Sequence, residues 1–459
     1  MSDIVRLLGI ARRALHSQQA VMNTTANNIA NVNTEGYSRQ RAILRENRSH
    51  QTMAGYLGSG VSVQTIERVR DNLIDSQLIS ERPSFAQFEF KGKALELVED
   101  IFNEPSEYGL NQSLADFFNS FQDLSSEPES SAAKTVVRQK ASVLANNFNR
   151  IHGKLSEYQQ QLNIELTGAV AEVNDLTSKI ANLNKKIVSA EVGGHMDSEI
   201  RDQRDLLIDQ LTELVDVRVS KNQNGTLSLS VAGMELVADS LSQKLSLKTE
   251  SANESGPKLV MENGNGEIKL TNGKIKAILD IRDINIENYK NQLDDFAVNF
   301  TQAVNDAHSA GYNLNNVTGT NLFEASATGA IDFAVSSEVM NDANLIATSD
   351  SMNEPGNNAA ALSIIALQDS LTMDNGQQTF SSFYNSLIAT LGSQTQEANF
   401  LGESYGMTVE KLEFSRQAVS GVSLDEEMTM MIEAQQAYAA AAKVITNVDE
   451  MAQTILNMV

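Results

Sequence analysis

The chain has no cysteine and no tryptophan. Missing thiols exclude disulfides, thiolate metal sites and cysteine nucleophiles together, without fixing a compartment. Proline is scarce, five in 459 residues. That favours long helices, because each internal proline removes a backbone donor and clashes with the preceding turn. Positive charge is in deficit: 35 Lys and Arg against 59 Asp and Glu leave a net charge of −24. Such a chain does not bind nucleic acid in general and avoids anionic membranes. No apolar run is long enough to cross a bilayer. The apolar start, Ile4 to Ala11, is broken by Arg6 and no cleavage-site pattern follows, so no cleaved secretory signal is expected. No His-Glu-x-x-His or Gly-x-Ser-x-Gly occurs, and His16, His50, His152, His195 and His308 form no ligand-spaced cluster. No enzyme activity, catalytic residue, metal site or cofactor is therefore expected.

What is present is helical periodicity. Ile4, Leu8, Ala11, Leu15, Gln18, Met22, Thr25, Ile29 and Val32 recur at alternating steps of four and three, the spacing of a coiled-coil seam. A second seam ends the chain: Leu424, Met428, Met431, Gln435, Tyr438, Ala442, Ile445, Val448, Ala452, Ile455 and Val459, with one short step at 445–448. Residues 1–50 carry seven arginines and no lysine against Asp3, Glu35 and Glu46, a net of +4. Residues 403–459 carry nine acids against Lys411, Arg416 and Lys443, a net of −6. Opposite signs favour pairing of the two ends over self-pairing of either. Ser423 and Glu426 fit a capping box at the start of the last helix, and Asp425, Glu426 and Glu427 suit its positive end.

Between the ends, Tyr37 to Arg70 reads as a hairpin-rich connector after a stop at Gly36, and 71–102 as a helix containing Pro83. Pro105 punctuates before a shorter helix near 110–121. Two heptad series, Val137 to Leu162 and Leu166 to Ala190, make a rod of more than 50 residues, ended by Gly193-Gly194. A helix is expected over 198–214. Val217 to Leu279 alternates in short runs, including Glu267 to Leu270, separated by turns such as Asn224-Gly225 and Asn272-Gly273. Helix resumes near Ile281, residues 311–358 are irregular, and helices follow over 359–371 and from about Gln377 to Gly421. Asp71, Asp75, Asp202, Asp205 and Asp209 read as solvated helix faces. The expected fold is mainly α, elongated and multidomain. Residues 1–50 with 405–459 form a terminal coiled coil. Residues 51–215 with 281–404 form a long helical bundle with the connector. Residues 216–280 form a small inserted β domain.

The stretch Ala26-Asn27-Asn28-Ile29-Ala30-Asn31-Val32-Asn33-Thr34-Glu35-Gly36-Tyr37-Ser38-Arg39 resembles the N-terminal signature of bacterial flagellar axial proteins, with Glu35 where proline is common in that pattern. Gly421 to Met428 with Ala434-Gln435-Gln436-Ala437-Tyr438 resembles the matching C-terminal signature. The long helical middle resembles the hook-associated members that join hook to filament. The resemblance implies a structural role: terminal helices in the inner layer of a hollow tube, and export through the flagellar type III apparatus without a cleaved signal. It implies as partners further copies of the chain, the hook protein, a second junction protein, and an export chaperone at the C-terminal region. Ile4, Leu8, Leu15, Met22, Ile29, Leu424, Met428, Met431, Tyr438, Ile445 and Ile455 are the expected assembly core. Asn27, Asn28, Asn31, Gly36 and Tyr37 form the N-terminal motif, and Ser423 and Glu426 the helix cap. Another axial protein, of second-junction or hook type, is the nearest alternative. A non-flagellar coiled-coil protein is a further one. Because one amphipathic helix is marginal in water, residues 1 to about 50 and 405–459 are expected to be disordered in the monomer and to order on assembly.

Overall fold

The computed structural model describes residues 2–52, 55–104, 106, 109–191, 196–249, 256–264 and 266–457. Pro105, Gly193-Gly194, His195 and Val459 lie outside the described residues. The chain begins with helix α1 (Ser2–Ala30). Strands β1 (Gln40–Glu46) and β4 (Val61–Arg68) then pair antiparallel from Gln40↔Arg68 to Glu46↔Val61, with a bulge between Ile43 and Leu44. A smaller hairpin, β2 (His50–Thr52) with β3 (Gly55–Leu57), forms their tip.

Helices α2 (Asn72–Phe102), α3 (Leu110–Ser126), α4 (Ser131–Ala190) and α5 (Ser198–Leu214) follow. Pro83 sits inside α2 and is buried. Helix α4 runs unbroken for 60 residues, about 90 Å at 1.5 Å per residue. Both heptad series face its core, from Val137 through Leu162 and Leu166 to Ile187. The phase slip between them produces no break in the helix.

Strands β5 (Val217–Lys221), β6 (Leu227–Val231), β7 (Met234–Ala238) and β8 (Leu241–Ser242) form an antiparallel meander, and β9 (Leu245–Lys248) pairs with β10 (Lys258–Met261). Gly225, at φ +81°, supplies the β5–β6 turn, a conformation that an L side chain adopts only with strain. The expected strand at Glu267 to Leu270 is not one. It makes a single bridge, Val260 to Glu267, with the Ile268 amide donating to the Leu259 carbonyl at 2.8 Å, and Ile268 and Leu270 are buried in the core.

Helix returns earlier than its pattern indicates. Helix α6 (Lys274–Asp280) passes through a π segment, Ile281–Asn285, into α7 (Ile286–Ser309). Gln159 donates to the Arg282 carbonyl at 3.0 Å, occupying an acceptor in the widened turn. Short helix α8 (Ser337–Asn341) lies in the irregular stretch. Helix α9 covers Ala359–Ala366, shorter than the 359–371 expected, and α10 covers Phe380–Ser420. Gly421 interrupts before α11 (Leu424–Leu456).

The centre of the body is an aromatic cluster. Phe117, Phe148, Phe296, Phe300, Phe323 and Phe333 are all buried, and ring centroids within it lie as close as 4.7 Å. Helix α10 lies along α2, and α11 lies along α1. The first and last helices are thus one pair, and the crossing between that pair and the body places the site described next.

Candidate functional site

The signature at the end of α1 folds into a connector that touches four elements. Helix α1 stops at Ala30, and the chain turns through Gly36 at φ +77°. The positive φ favours glycine there, and a Cβ would also press on the Leu206 side chain at 3.2 Å. Asn28 is buried and makes four bonds. Its amide nitrogen donates to the Gln40 carbonyl at 2.9 Å and to Glu427 Oε2 at 3.0 Å. Its amide oxygen accepts from the Gln40 amide at 2.9 Å and the Tyr37 hydroxyl at 2.8 Å. One side chain therefore fastens helix, hairpin and C-terminal helix together. Asn31 donates to the Asn27 carbonyl at 3.0 Å and closes the local turn. The Tyr37 hydroxyl is pushed up to about 12 by burial and by the negative charges of Asp202 and Glu427. It stays protonated and remains a donor.

Asp425, Glu426 and Glu427 stand in the first turn of α11 as expected, but the capping box does not form. Ser423 occupies the N-cap position, but its side chain makes no capping bond. Glu426 pairs instead with Arg39 at 2.8 Å. Glu427 is fully buried and accepts from Arg39 Nε at 2.7 Å as well as from Asn28. The Arg39 amide also donates to the Ser420 carbonyl at 2.9 Å, tying the incoming and outgoing strands of chain at one point.

A second ionic layer joins this knot to the body. Asp202 on α5 is buried, and it accepts from the Ser38 amide at 3.0 Å, the Ser38 hydroxyl at 2.7 Å and Arg68 at 2.7 Å. Asp205 pairs with Arg68 at 2.8 Å and with Arg70. Asp209 pairs with Arg82 at 3.1 Å and Arg416 at 2.6 Å, and Arg82 also reaches Glu413 at 2.7 Å. Burial alone would lower the Arg82 pKa, but Asp209 and Glu413 outweigh it and hold that pKa above its ordinary value. The reading of Asp202, Asp205 and Asp209 as solvated faces is therefore corrected. Apart from the neighbouring Arg204, 3.7 Å from Asp205, their partners lie more than 100 residues away. Asp75 likewise pairs with Arg70, at 3.0 Å, and Asp71 caps α2 by accepting from the Leu73 amide at 2.8 Å. An open cleft of about 910 Å³ lies over this layer, lined by polar residues including Asn33, Glu213 and Gln417. Among the described residues, no group of three or more His, Asp or Glu is placed to hold a metal ion.

The seam of α11 differs from the expected one. Glu427, Ala434, Ala441 and Val448 are its buried positions, seven residues apart. With Leu424, Met431, Tyr438, Ile445 and Ala452 they make a strict a/d heptad with no short step. The expected series followed a and e positions until 445 and then moved onto d. Its short step marks that slip. Met431 and Ile445 are partly buried, whereas Leu424, Met428, Tyr438 and Ile455 are exposed in the single chain. Met428 faces away because it stands at an e position. On α1, Ile4, Leu15, Met22 and Ile29 are partly buried and Leu8 is exposed. The fully buried positions are Ala11, Ser17, Thr24, Thr25 and Asn28, because α1 also carries the hairpin. Arg13 donates to the Ser59 carbonyl at 3.0 Å, and Ser17 to the Val61 carbonyl at 3.4 Å.

Comparison with known proteins follows this layout. Three protein families match: "Flagella basal body rod protein" over residues 8–37, "Flagellar hook-associated protein FlgK helical domain" over 95–323, and "Flagellar basal body rod FlgEFG protein C-terminal" over 416–458. Flagellar hook-associated protein 1 of Bacillus subtilis (strain 168) is 32% identical over 98% of this chain and 97% of its own length. The protein of the same description from Escherichia coli (strain K12) is 24% identical over 98% and 99%. The solved structure of the flagellar hook junction protein FlgK from Burkholderia pseudomallei superposes with a TM-score of 0.68 at 15% identity, covering 75% of this chain and 100% of that one.

Proposed function

The chain belongs to the family of flagellar hook-associated protein 1, and from that premise we propose how its two ends act in the flagellum. The protein is a structural component of the hook–filament junction. In our reading, α1 and α11 form one assembly element that packs with those of other copies into the inner wall of the axial tube. The helical body forms the next layer, and the two sheets of β5–β8 and β9–β10 face outward. The hook protein contacts one side of the ring and a second junction protein the other. The protein acts without catalysis.

The observation that carries this reading is the knot of Asn28, Arg39 and Glu427. It converts two chain ends, 399 residues apart at Asn28 and Glu427, into one unit fixed to the body. A free pair of helices would transmit nothing to that body. The chain leaves the cell through the flagellar type III apparatus, held beforehand by an export chaperone at the C-terminal region. The absence of cysteine suits passage in an unfolded state. Gene deletion tests the role. Hooks should remain while unpolymerised flagellin escapes into the medium. Normal filaments in the deletion strain would refute it.

A further inference from the structure

Residues 311–358 hold α8 and a short 3-10 turn, Ala343–Leu345, and are otherwise irregular. They supply Phe323 and Phe333 to the aromatic cluster. Side chains of α4 and α7 pin this segment by reaching its backbone. Asn305 accepts from the Leu322 and Phe323 amides at 3.0 and 2.9 Å. Asn149 donates to the Ala330 and Phe333 carbonyls at 2.7 and 3.1 Å. Those two side chains are uncharged amides. The pair that holds Ile346 and Ala347 is different. Lys134 of α4 donates to the Ile346 carbonyl at 2.7 Å. The Ala347 amide donates to Nε2 of His308, on α7, at 3.0 Å. The two bonds take the oxygen and the hydrogen of one peptide group. Lys134, His308 and Ile346 have no exposed surface. An ammonium on the oxygen polarises the peptide and strengthens the N–H bond on its other side.

We propose that Lys134 and His308 form a proton-operated latch on this peptide group, and that acid frees residues 311–358 from α4 and α7 before either helix unfolds. The latch belongs to the single chain and does not rest on the assembly reading. Charges face the pair from both sides. Asp342, which accepts from the Asn344 amide at 2.9 Å, acts on Lys134, and Lys134 acts on His308. Arg138, one turn along α4, donates to the Met340 carbonyl at 2.8 Å. Burial pulls Lys134 from 10.5 down to about 8, with Asp342 opposing. Burial pulls His308 from 6.5 down to about 4, with the Thr320 bond opposing and Lys134 adding to the fall. Both shifts have one sign. The released segment binds each proton at a higher pH than the latched one, so acid favours release. The hold is complete above pH 10.5 and weakens toward pH 8 as Lys134 charges in place. It stays level to pH 6.5 and weakens again toward pH 4. The second step alone breaks a bond. An ammonium still donates to Ile346, whereas a protonated imidazole cannot accept from Ala347. Lys134 is thus already charged at neutral pH and opposes the charge on His308, the group that trips the latch.

Hydrogen exchange of the full chain, read by mass spectrometry at pH 7 and pH 5 and corrected for the intrinsic rate, tests this. Residues 343–350 should open about twentyfold more readily at pH 5. The centre of α4, around Leu155, should stay better protected at both values. Unchanged opening at 343–350, or α4 opening together with it, would overturn the proposal. His308→Gln keeps a donor and an acceptor without titrating, so it should lose most of the pH dependence. His152 is the control. It too is buried on α4 and held below its ordinary pKa by burial, but it faces Asp294, at 3.8 Å. His152→Gln should keep the twentyfold ratio, and the reverse ranking of the two variants would overturn the assignment to His308. Lys134→Met should raise the His308 pKa, read from imidazole C–H resonances, whichever way the baseline opening moves. An unmoved His308 titration would overturn the coupling of the pair. If Lys134→Met does not fold, wild type and the two histidine variants still decide.

Discussion

His308 is a buried group whose protonation the fold forbids, and its effect on stability can be worked out. It lies at the end of α7 with no exposed surface. Its Nδ1 donates to the Thr320 carbonyl at 2.7 Å, and its Nε2 accepts from the Ala347 amide at 3.0 Å. A second ring proton would point at that amide and lose the bond. Burial, with Lys134 nearby, pulls the His308 pKa from 6.5 down to about 4. The unfolded chain therefore takes up this proton at a higher pH than the folded one. Stability from this group is complete above pH 6.5 and is lost as pH falls toward 4. The loss is about 2 kcal/mol at pH 5 and about 3 kcal/mol at pH 4. Urea unfolding followed by hydrogen exchange at α7 should show this slope between pH 7.5 and 5, above the range where most carboxylates titrate. His308→Gln keeps a donor and an acceptor but does not titrate, so its slope should be flatter although its baseline is lower. Parallel slopes for the two proteins would refute the reasoning.

Other consequences are as direct. Glu427→Ala removes a buried carboxylate and strands Asn28 and Arg39. It should weaken the α1–α11 pairing by about 3–5 kcal/mol, read as lost filament attachment in cells while the α4 amides keep their exchange protection. Asp202→Asn should loosen the joint of hairpin and body, exposing the Arg68–Asp71 segment to protease without lowering the melting temperature of the body. In the soluble protein, protease should cut residues 1–50 and the C-terminal region before the middle. The end of α10 should persist longest in that region, through the Arg82–Glu413 and Arg416–Asp209 pairs. Termini as resistant as the middle would overturn the expectation that they order on assembly.

The sequence disclosed the rod because large aliphatic side chains fill nearly every core position from Val137 to Ile187. It disclosed less of α11, where the buried d positions hold Glu427, Ala434 and Ala441. A carboxylate and two methyl groups do not look like a core, so the pattern drifted to Met428 and Gln435. The connector was legible as a motif but not as a mechanism. Asn28 reads as a polar residue near a helix end, and only the approach of Glu427 explains its burial. The aspartates of α5 were illegible for the same reason, since Arg68, Arg70, Arg82 and Arg416 come from other parts of the chain. The π segment at Ile281–Asn285 is not anticipated, because the helical pattern starting near Ile281 runs on through it into α7.

The knot at Asn28, Arg39 and Glu427 has a mechanical meaning. Two covalent crossings connect the paired end helices to the body, one at Ser38–Arg70 and one at Ser420–Ser423. Twisting the end helices against the body would shear one crossing past the other. The Arg39–Ser420 backbone bond and the Arg39 carboxylate pairs cross-brace them. Torque entering through the end helices is thus shared by both crossings, and neither acts as a swivel. Loosening this brace makes the joint torsionally soft before it makes the protein unfold.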